Sequence, residues 1–491
     1  MFLITVTMIL NTGIIITFLL YFAFMLGIGV YYFSKSKDLS DYILGGRTLN
    51  GWVTALSAQA SDMSGWLLLG LPGTAYLSGL EAGWIALGLL VGTYLNWKFV
   101  AKKFRQYTEK TGDSITIPDY LENRFRDNSK ILRILSATFI LFFFLIYTAS
   151  GFVAGATLFE TVFGLAYTKA LLIGAVLVIS YTFLGGFLAV CWTDFFQGIL
   201  MFFAIIIVPI VAVVSIGGVS ETINEINNID RNLLRIMVNA SGEKVTFIGV
   251  VSLLAWGLGY FGQPHILVRF MGIRSADEIK KSRMIAMIWV SISLVAAVLV
   301  GIIGRVYFGE MLANPETIFM QLVNALFHPL VAGILLAAIL AAVMSTADSQ
   351  LLVTASAISE DFYKVLFRKN ASDKELVWVS RATVIGVAII AFLLALNPDN
   401  TVMGLVSYAW AGFGATFGPV IILSLYWKRM NKQGAFAGLV VGGISTILWK
   451  LSGSPLYEIV PGFIFATVAV VVVSLLFKEP DIEITDEFDT I

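Results

Sequence analysis

The chain has 491 residues, of which 58% are hydrophobic and only 13% are charged, and its mean hydropathy is +0.87. A soluble domain carries about 25% charged residues, so this composition excludes a soluble globular protein. The net charge is zero, which gives no reason to expect a nucleic-acid partner. The single cysteine, Cys191, excludes an intrachain disulfide framework, and two histidines are too few for a histidine-rich metal site. The composition therefore indicates an all-α integral membrane protein.

Long apolar segments recur from end to end, and many approach the roughly 20 residues that span the hydrocarbon core of a bilayer. Hydropathy predicts about thirteen transmembrane helices. In chain order, their predicted ranges are 13–33, 51–76, 83–100, 131–158, 165–184, 188–214, 245–267, 284–308, 329–353, 376–396, 402–427, 434–451 and 461–477.

Basic residues are distributed unevenly between the two sides of these helices. Of the 32 Lys and Arg residues, 26 lie in or beside the loops that follow odd-numbered spans. Because basic loops mark the cytoplasmic side, we expect the N-terminus outside and the C-terminus in the cytoplasm. The first residues lack a basic region, so a cleaved signal peptide is not expected. The acidic segment after Phe477 is too polar to span and is predicted to be a short mobile tail.

The second predicted span contains the sequence ASDMSGW at 60–66, in which a carboxylate, two hydroxyls and a glycine interrupt an apolar segment. An ionisable group at mid-membrane costs about 2.5–3.5 kcal/mol on insertion scales. Such a group usually serves a cation, a proton or a polar solute. The sequence therefore predicts a polar site inside the bilayer.

The seventh predicted span contains GLGYFGQPH at 257–265. A glycine costs about 1 kcal/mol and a proline about 3 kcal/mol in a helix interior, so this helix should also be broken. The two breaks are five spans apart and therefore run in opposite directions, as in an inverted repeat with its site at the repeat interface. The alternative is that glycine and proline are simply frequent in membrane helices.

This reading divides the chain into five parts. Residues 51–214 would form the first five-helix repeat, and residues 215–427 the second repeat with an outer loop. Residues 1–50 would be an N-terminal helix and cytoplasmic loop, 428–477 two C-terminal helices, and 478–491 the acidic cytoplasmic tail. The fold class is thus a five-plus-five inverted-repeat core with one helix before it and two after.

The ninth predicted span carries Ser345 and Thr346 deep in the membrane. With the carbonyl of Ala342, and with carbonyls of Ala60 and Met63 from the broken second span, these hydroxyls could form an uncharged nest of oxygen atoms. Oxygen ligands suit a hard monovalent cation better than zinc or copper. The alternative is that both hydroxyls bond back to carbonyls four residues earlier in their own helix.

These motifs resemble the sodium:solute symporter family, in particular its sodium/proline branch. The similar segments run over nearly the whole chain, at 44–47, 60–66, 144–147, 185–190, 192–194, 256–265, 342–349 and 412–419. The resemblance implies a leucine-transporter-like core in the cell membrane and sodium-driven uptake of L-proline, with Na⁺ as the coupling ion.

The resemblance also implies roles for individual residues. Sodium would bind at the five positions suggested by the supply of oxygen atoms, namely Ala60, Met63, Ala342, Ser345 and Thr346. Asp62 and Ser64 would couple sodium to the substrate. Proline would be surrounded by Gly65, Trp66, Tyr147, Trp256, Tyr260 and Pro264, since aromatic faces suit its pyrrolidine ring. Arg47 and Asp194 match positions that the family associates with ion coupling.

Alternatives stay open at this point. Trp256 and Tyr260 could be a packed aromatic pair, and Asp194 a buried, hydrogen-bonded carboxylate at a helix end. The solute could be another compatible solute or a small carboxylate, carried with sodium or protons. A solute sensor or channel would be a different class, and a channel would pass current without saturable dependence on a solute. An enzyme is not expected, because the spans contain no nucleophile–base pair.

Overall fold

The structure is a computed structural model that describes residues 2–33, 39–182, 186–239 and 241–490. The first glycine of the segment at 185–190 therefore lies outside the described residues. Within the described ranges the protein is all-helical, with two isolated β-bridges and no strand. The α-helices are α1 (Phe2–Phe33), α2 (Leu39–Leu44), α3 (Gly51–Asp62), α4 (Leu71–Ser78), α5 (Gly83–Leu95), α6 (Ala101–Lys110), α7 (Ile117–Arg124), α8 (Ile131–Phe163), α9 (Tyr167–Thr182), α10 (Phe187–Ile216), α11 (Val219–Asp230), α12 (Phe247–Leu254), α13 (Pro264–Gly272), α14 (Ile279–Phe308), α15 (Ile318–Leu326), α16 (Pro329–Ser356), α17 (Asp373–Leu394), α18 (Val402–Tyr426), α19 (Lys432–Leu451), α20 (Ile459–Leu476) and α21 (Ile482–Asp489).

Polar residues begin several of these helices by accepting hydrogen bonds from the first free backbone N–H groups. The Asn50 side chain accepts from the N–H of Trp52 at 3.0 Å and of Val53 at 3.1 Å, which fixes the start of α3. Thr401 and Asn431 begin α18 and α19 in the same way. These local signals explain why the apolar segments begin where they do.

Burial separates the inner helices from those that face lipid. In its most apolar window, α16 has 83% of its residues buried, whereas the corresponding values for α1 and α10 are 28% and 33%. Helix α16 packs against α1, α3, α8 and α10. The helix that carries Ser345 and Thr346 therefore lies at the centre of the bundle.

The predicted break in the second span is confirmed. Helix α3 ends at Asp62, and Met63 leaves the helical conformation with φ −81° and ψ 63°. The chain resumes as a π-helical turn, Trp66–Gly70, which leads into α4. The Met63 carbonyl is consequently no longer aligned with the carbonyl groups of α3.

The seventh span is also interrupted, but in a different way. Helix α12 tightens into a 3₁₀ helix, Ala255–Gly262, and the chain bends by 43° before α13. The glycines here permit close packing rather than full unwinding: a Cβ atom on Gly259 would lie 1.9 Å from the Trp410 indole nitrogen. The sequence therefore located this break correctly but not its backbone form.

Among the described residues, ten helices are long and apolar enough to cross a membrane, or eleven if the bent α12–α13 pair is one span. This number is below the thirteen predicted spans for two reasons. The first half of the second span is only the 12-residue α3, and its second half runs on into the third span. Helix α9 has only 16 residues.

The acidic tail, which the sequence predicted to be mobile, contains a helix in the structure. Helix α21 lies at the end of the bundle that carries residues 96–130, which include α6 and α7, and residues 427–431. This end is here called the basic face. In α21, Glu483 pairs with Arg126, and the Phe488 ring packs 6.2 Å from the Tyr107 ring and 5.5 Å from the Arg124 guanidinium. Ile484 is buried one turn earlier, so an apolar stripe and acidic groups together fix this helix.

We expect combined Glu483→Gln and Phe488→Ala substitution to release α21. The expected result is about three- to tenfold faster amide hydrogen exchange across 482–489, since each exposed ion pair contributes up to about 1 kcal/mol. Asp486→Asn is the matched control, because Asp486 points to solvent on the same helix. Equal exchange in wild type and both variants would show that the docked helix is not maintained in solution.

Candidate functional site

Three separate parts of the chain meet at Asp62, which is fully buried. Its Oδ2 accepts a hydrogen bond from the Tyr260 hydroxyl at 2.7 Å. Its backbone carbonyl accepts from the Trp66 indole N–H at 3.2 Å and from the Tyr147 hydroxyl at 3.4 Å. The Asp62 Oδ1 atom is buried without a hydrogen-bond partner. The break in the second span is therefore surrounded by polar groups from α8 and from the seventh span.

Aromatic rings form the wall beside this carboxylate. The Trp66 and Trp256 rings lie 6.2 Å apart at an angle of 43°, and the Tyr260 ring packs edge-on against Trp410 at 5.1 Å. Trp256 and Tyr260 thus pack on different rings, unlike the simple aromatic pair considered from the sequence. None of these four side chains is more than 5% exposed. The site is closed in this structure.

Two further predicted substrate residues, Ser64 and Gly65, shape the backbone of the break. The Ser64 hydroxyl accepts a long hydrogen bond of 3.4 Å from the Trp66 N–H. A Cβ atom on Gly65 would lie 2.7 Å from the Cβ of Ala154 on α8, so this approach requires glycine. Pro264 is the first residue of α13 and lies beyond the bend. It lines a narrow apolar cavity with Val268 rather than contacting Asp62 directly.

Of the five predicted sodium positions, Ala60, Ala342 and Ser345 meet where α3 ends beside α16, and Met63 and Thr346 lie on the same two segments. The Ser345 hydroxyl donates to the Ala60 carbonyl at 2.8 Å, and it also lies 3.3 Å from the Ala342 carbonyl in its own helix. The shorter contact therefore crosses between helices, although the backward bond considered from the sequence is present too. Thr346 Oγ1 is buried without a partner, and Met63 turns its carbonyl out of α3.

These residues fit a monovalent cation. They offer two hydroxyl oxygens and three carbonyl oxygens with no formal charge, which is a hard-donor set. An unsatisfied buried hydroxyl costs about 1–3 kcal/mol, and the Thr346 hydroxyl, which has no partner here, is available to a ligand. Arrival of an ion would also take the Ala60 carbonyl away from its hydrogen bond with Ser345.

A fully buried ion pair lies one helical turn from these oxygens. Arg269 Nη2 donates to Asp194 Oδ2 at 3.0 Å, and the Ser57 hydroxyl donates to the same Asp194 oxygen at 2.7 Å. Arg269 also donates to the hydroxyl of Ser349, which in turn donates to the Ser345 carbonyl at 2.7 Å. The pair therefore connects α3, α10 and α13 to the helix that carries the candidate sodium ligands.

Arg269 was missed in the sequence analysis, where it counted as a basic residue beside a loop. The structure corrects this, because both Arg269 and Asp194 are 0% exposed. A signal was present in the sequence: Arg269 lies four residues after His265 in an otherwise apolar stretch, and its guanidinium donates to the His265 carbonyl at 2.8 Å. Asp194 is buried and hydrogen-bonded, which agrees with the alternative that it is a structural carboxylate and not a group that couples to the ion.

Arg47 is not brought to the site. Its guanidinium donates to Asp113 at 2.9 Å, to the Met271 carbonyl at 2.8 Å and to the Ser114 carbonyl at 2.9 Å. These partners lie at the ends of α6 and α13 on the basic face. Arg47 therefore holds loops together, and its contacts give no direct support to a role at the ion position.

The comparison with known families decides the class of protein. The model of the sodium:solute symporter family matches residues 42–442. The chain belongs to the sodium:solute symporter family. It is a multi-pass membrane protein of a transporter family and not an enzyme.

Several relatives match the chain over nearly its whole length. The high-affinity proline transporter PutP of Bacillus subtilis is 52% identical over 470 residues, covering 95% of this chain and 98% of the relative. The sodium/proline symporter of Escherichia coli is 51% identical over 490 residues, covering 98% and 96%. The osmoregulated proline transporter OpuE of Bacillus subtilis is 50% identical, covering 96% of each chain.

Solved structures share the fold. A substrate-bound, outward-open Na⁺-coupled sialic acid symporter superposes with a TM-score of 0.80 at 22% identity, covering 96% of this chain and 99% of that one. MhsT in complex with L-phenylalanine gives a TM-score of 0.54 at 14% identity, covering 87% and 97%. At these identities the likeness shows a common helical transporter fold, as the resemblance implied.

We expect Arg269→Gln to destabilise the protein, because it leaves the buried Asp194 carboxylate without its charge partner. Removing one member of a buried pair typically costs about 3–5 kcal/mol. The thermal unfolding temperature of the purified protein should fall clearly. Arg274→Gln is the control, since Arg274 pairs with Glu278 but its side chain is 59% exposed. If both variants unfold at the same temperature, the Arg269–Asp194 pair does not hold the helices together.

Proposed function

We propose that the protein is a secondary active transporter that carries L-proline into the cell together with sodium, by alternating access. The observation that carries the proposal is that one helix break faces two kinds of partner. On one side, Asp62 contacts Tyr260 and Tyr147, and on the other, the Ala60 carbonyl contacts Ser345. An ion position and a solute position thus share one flexible segment.

The relatives support the identity of the solute. Proteins named as proline transporters or sodium/proline symporters are 50–52% identical to this chain and cover at least 95% of it. The site has the chemistry that proline requires: Trp66 and Trp256 offer apolar faces to a pyrrolidine ring, and the open backbone around Asp62 offers polar groups. Asp62 would accept from the imino group of proline.

The finer architecture is part of this proposal. Thirteen membrane-spanning helices would include two inverted repeats of five, at 51–214 and 215–427, with the N-terminus outside and the C-terminus in the cytoplasm. The interrupted second and seventh spans support the repeat, because inverted repeats place broken helices at corresponding positions. The excess of basic residues on one side supports the orientation, which makes the basic face cytoplasmic.

Coupling follows from the shared break. Sodium bound by Ala60, Met63 and the α16 hydroxyls would fix the end of α3 and so position Asp62 for the solute. One positive charge moving inward across 100 mV contributes about 2.3 kcal/mol, which drives accumulation. Reciprocity requires that proline raise the affinity for sodium by the same factor by which sodium raises the affinity for proline.

The Asp194–Arg269 pair would support coupling indirectly. It joins α10 to α13 and, through Ser349, reaches the Ser345 carbonyl, so movement of α13 during alternating access would be transmitted to the ion ligands. In this proposal Asp194 positions neighbouring helices and does not bind the ion itself.

The test is uptake by the purified protein reconstituted into vesicles. We expect radiolabelled L-proline to accumulate when a sodium gradient points inward, and counterflow of proline to require sodium on both sides. A potassium gradient of equal size is the control. Uptake of another compatible solute or a small carboxylate in preference to proline would replace the solute, and sodium-independent current without saturation would indicate a channel.

Thr346 provides a sharp test of the ion position. We expect Thr346→Ala to raise the sodium concentration for half-maximal uptake about tenfold or more, since a hydrogen-bonding or ligating oxygen on a charged group is worth about 1.5–3 kcal/mol. Thr346→Ser should change it little, because the hydroxyl is kept. Measuring proline uptake against sodium concentration distinguishes the two variants.

The matched control for Thr346→Ala is Thr354→Ala on the same helix. The Thr354 hydroxyl is also buried but donates to the Gln350 carbonyl in its own helix at 2.7 Å. Its loss should leave the sodium dependence unchanged. Equal damage by Thr346→Ala and Thr346→Ser would assign Thr346 to packing instead of ion binding.

A further inference from the structure

Tyr457 contacts the aromatic wall of the site from outside the two proposed repeats. It lies in the loop between α19 and α20, and its ring stacks on the Trp256 ring with a centroid distance of 5.6 Å and an angle of 29°. Trp256 in turn lies 6.2 Å from Trp66. Three rings therefore form a continuous row that begins beside Asp62 and ends at the α19–α20 loop.

Exposure increases along this row. Trp66 is 1% exposed, Trp256 is 5% exposed, and Tyr457 is only partly buried. Helix α19 begins with Lys432 at the basic face, so the loop after its last residue, Leu451, lies at the opposite end of the bundle. Tyr457 is thus the outermost of the three rings, at the end of the bundle opposite the basic face.

Polar contacts fix the position of Tyr457. Its hydroxyl donates to the Ser407 carbonyl on α18 at 2.6 Å, and its backbone N–H donates to the Ser252 hydroxyl on α12 at 3.1 Å. The neighbouring Glu458 pairs with Lys450 at 3.3 Å across the base of the loop. The backbone bond fixes the loop, and the hydroxyl bond to Ser407 fixes the orientation of the ring beside Trp256.

We propose that Tyr457 is a positioning residue for proline, which holds the Trp256 indole over the solute and covers the site from the extracellular side. The inference rests on the proposed function, because it requires proline to contact Trp256. It gives α19 and α20, which lie outside both repeats, a direct part in the site. Tyr457 acts through Trp256 and does not itself contact the solute.

The first experiment measures equilibrium binding of radiolabelled proline to the purified full-length protein at saturating sodium. Tyr457→Ala is expected to raise the Kd for proline about two- to tenfold, the range for loss of one aromatic pair. In vesicles, the KM for proline should rise by the same factor while kcat stays within about twofold, and the sodium dependence measured at saturating proline should not change. Tyr457→Phe keeps the stacked ring but loses the bond to Ser407, so it should raise the Kd clearly less than Tyr457→Ala does.

A double-mutant cycle tests the route of the effect. If Tyr457 acts through Trp256, Tyr457→Ala should have little further effect on proline binding in a Trp256→Leu background, in which the ring that stacks on Tyr457 is already lost. Tyr408→Ala is the matched control, because Tyr408 lies on α18 and its ring packs edge-on against Phe143 instead, at 6.3 Å. If Tyr457→Ala fails to fold, Tyr457→Leu is measured in the same way.

The outcomes separate this inference from the proposed function. Wild-type protein that does not bind proline would overturn the proposed function and the inference together. Wild-type protein that binds proline, with unchanged Kd in Tyr457→Ala or equal losses in Tyr457→Ala and Tyr457→Phe, would overturn the inference alone. A full additional loss in the Trp256→Leu background would also overturn it.

Discussion

The contact between the end of α3 and the centre of α16 is the interaction on which the site depends. The Ser345 hydroxyl reaches the Ala60 carbonyl because α3 stops at Asp62 and because small residues let the two helices approach. A continuous helix would use its carbonyl groups internally and leave none for a ligand. The break therefore provides oxygen atoms at membrane depth, and α16, the most buried of the spans, excludes lipid from them.

The buried Asp194–Arg269 pair imposes a second constraint. Removing two charges from water is costly, and Ser57 and Ser349 offset part of this cost by hydrogen bonds to Asp194 Oδ2 and to Arg269, while Asp194 Oδ1 is buried without a hydrogen-bond partner. Such a pair is weak evidence for stability but strongly fixes which helices must meet. Here it fixes α10 and α13 beside α16, one turn from the candidate ion ligands, so the geometry of the candidate ion position is linked to the bent half of the seventh span.

The sequence was informative where a polar group had no other explanation. Asp62, Ser345 and Thr346 are exceptional in apolar segments, and the expected approach of Ala60 to Ser345 is present as a 2.8 Å hydrogen bond. The sequence was uninformative where the role of a residue depends on its tertiary contacts. Arg269 resembles any basic residue at the end of a span until Asp194 is placed opposite it, and the tail becomes helical only because Arg126 and the Arg124–Tyr107 surface lie beneath it.

The two breaks are not equivalent, and their hydrogen bonds explain why. In the seventh span the carbonyls of Trp256, Gly259 and Tyr260 each accept from a side-chain N–H, donated by Trp410, Gln263 and Asn96 respectively. Because these oxygens are occupied and the backbone stays 3₁₀-helical, this break presents side chains to the site instead of carbonyls. In the second span, by contrast, the backbone leaves the helical conformation at Met63, and the Ala60 carbonyl accepts from Ser345 on α16. In the proposed mechanism the ion would lie between the second span and α16, and the solute between the seventh span and the rings of Trp66 and Tyr147, so that each position would combine groups from both proposed repeats.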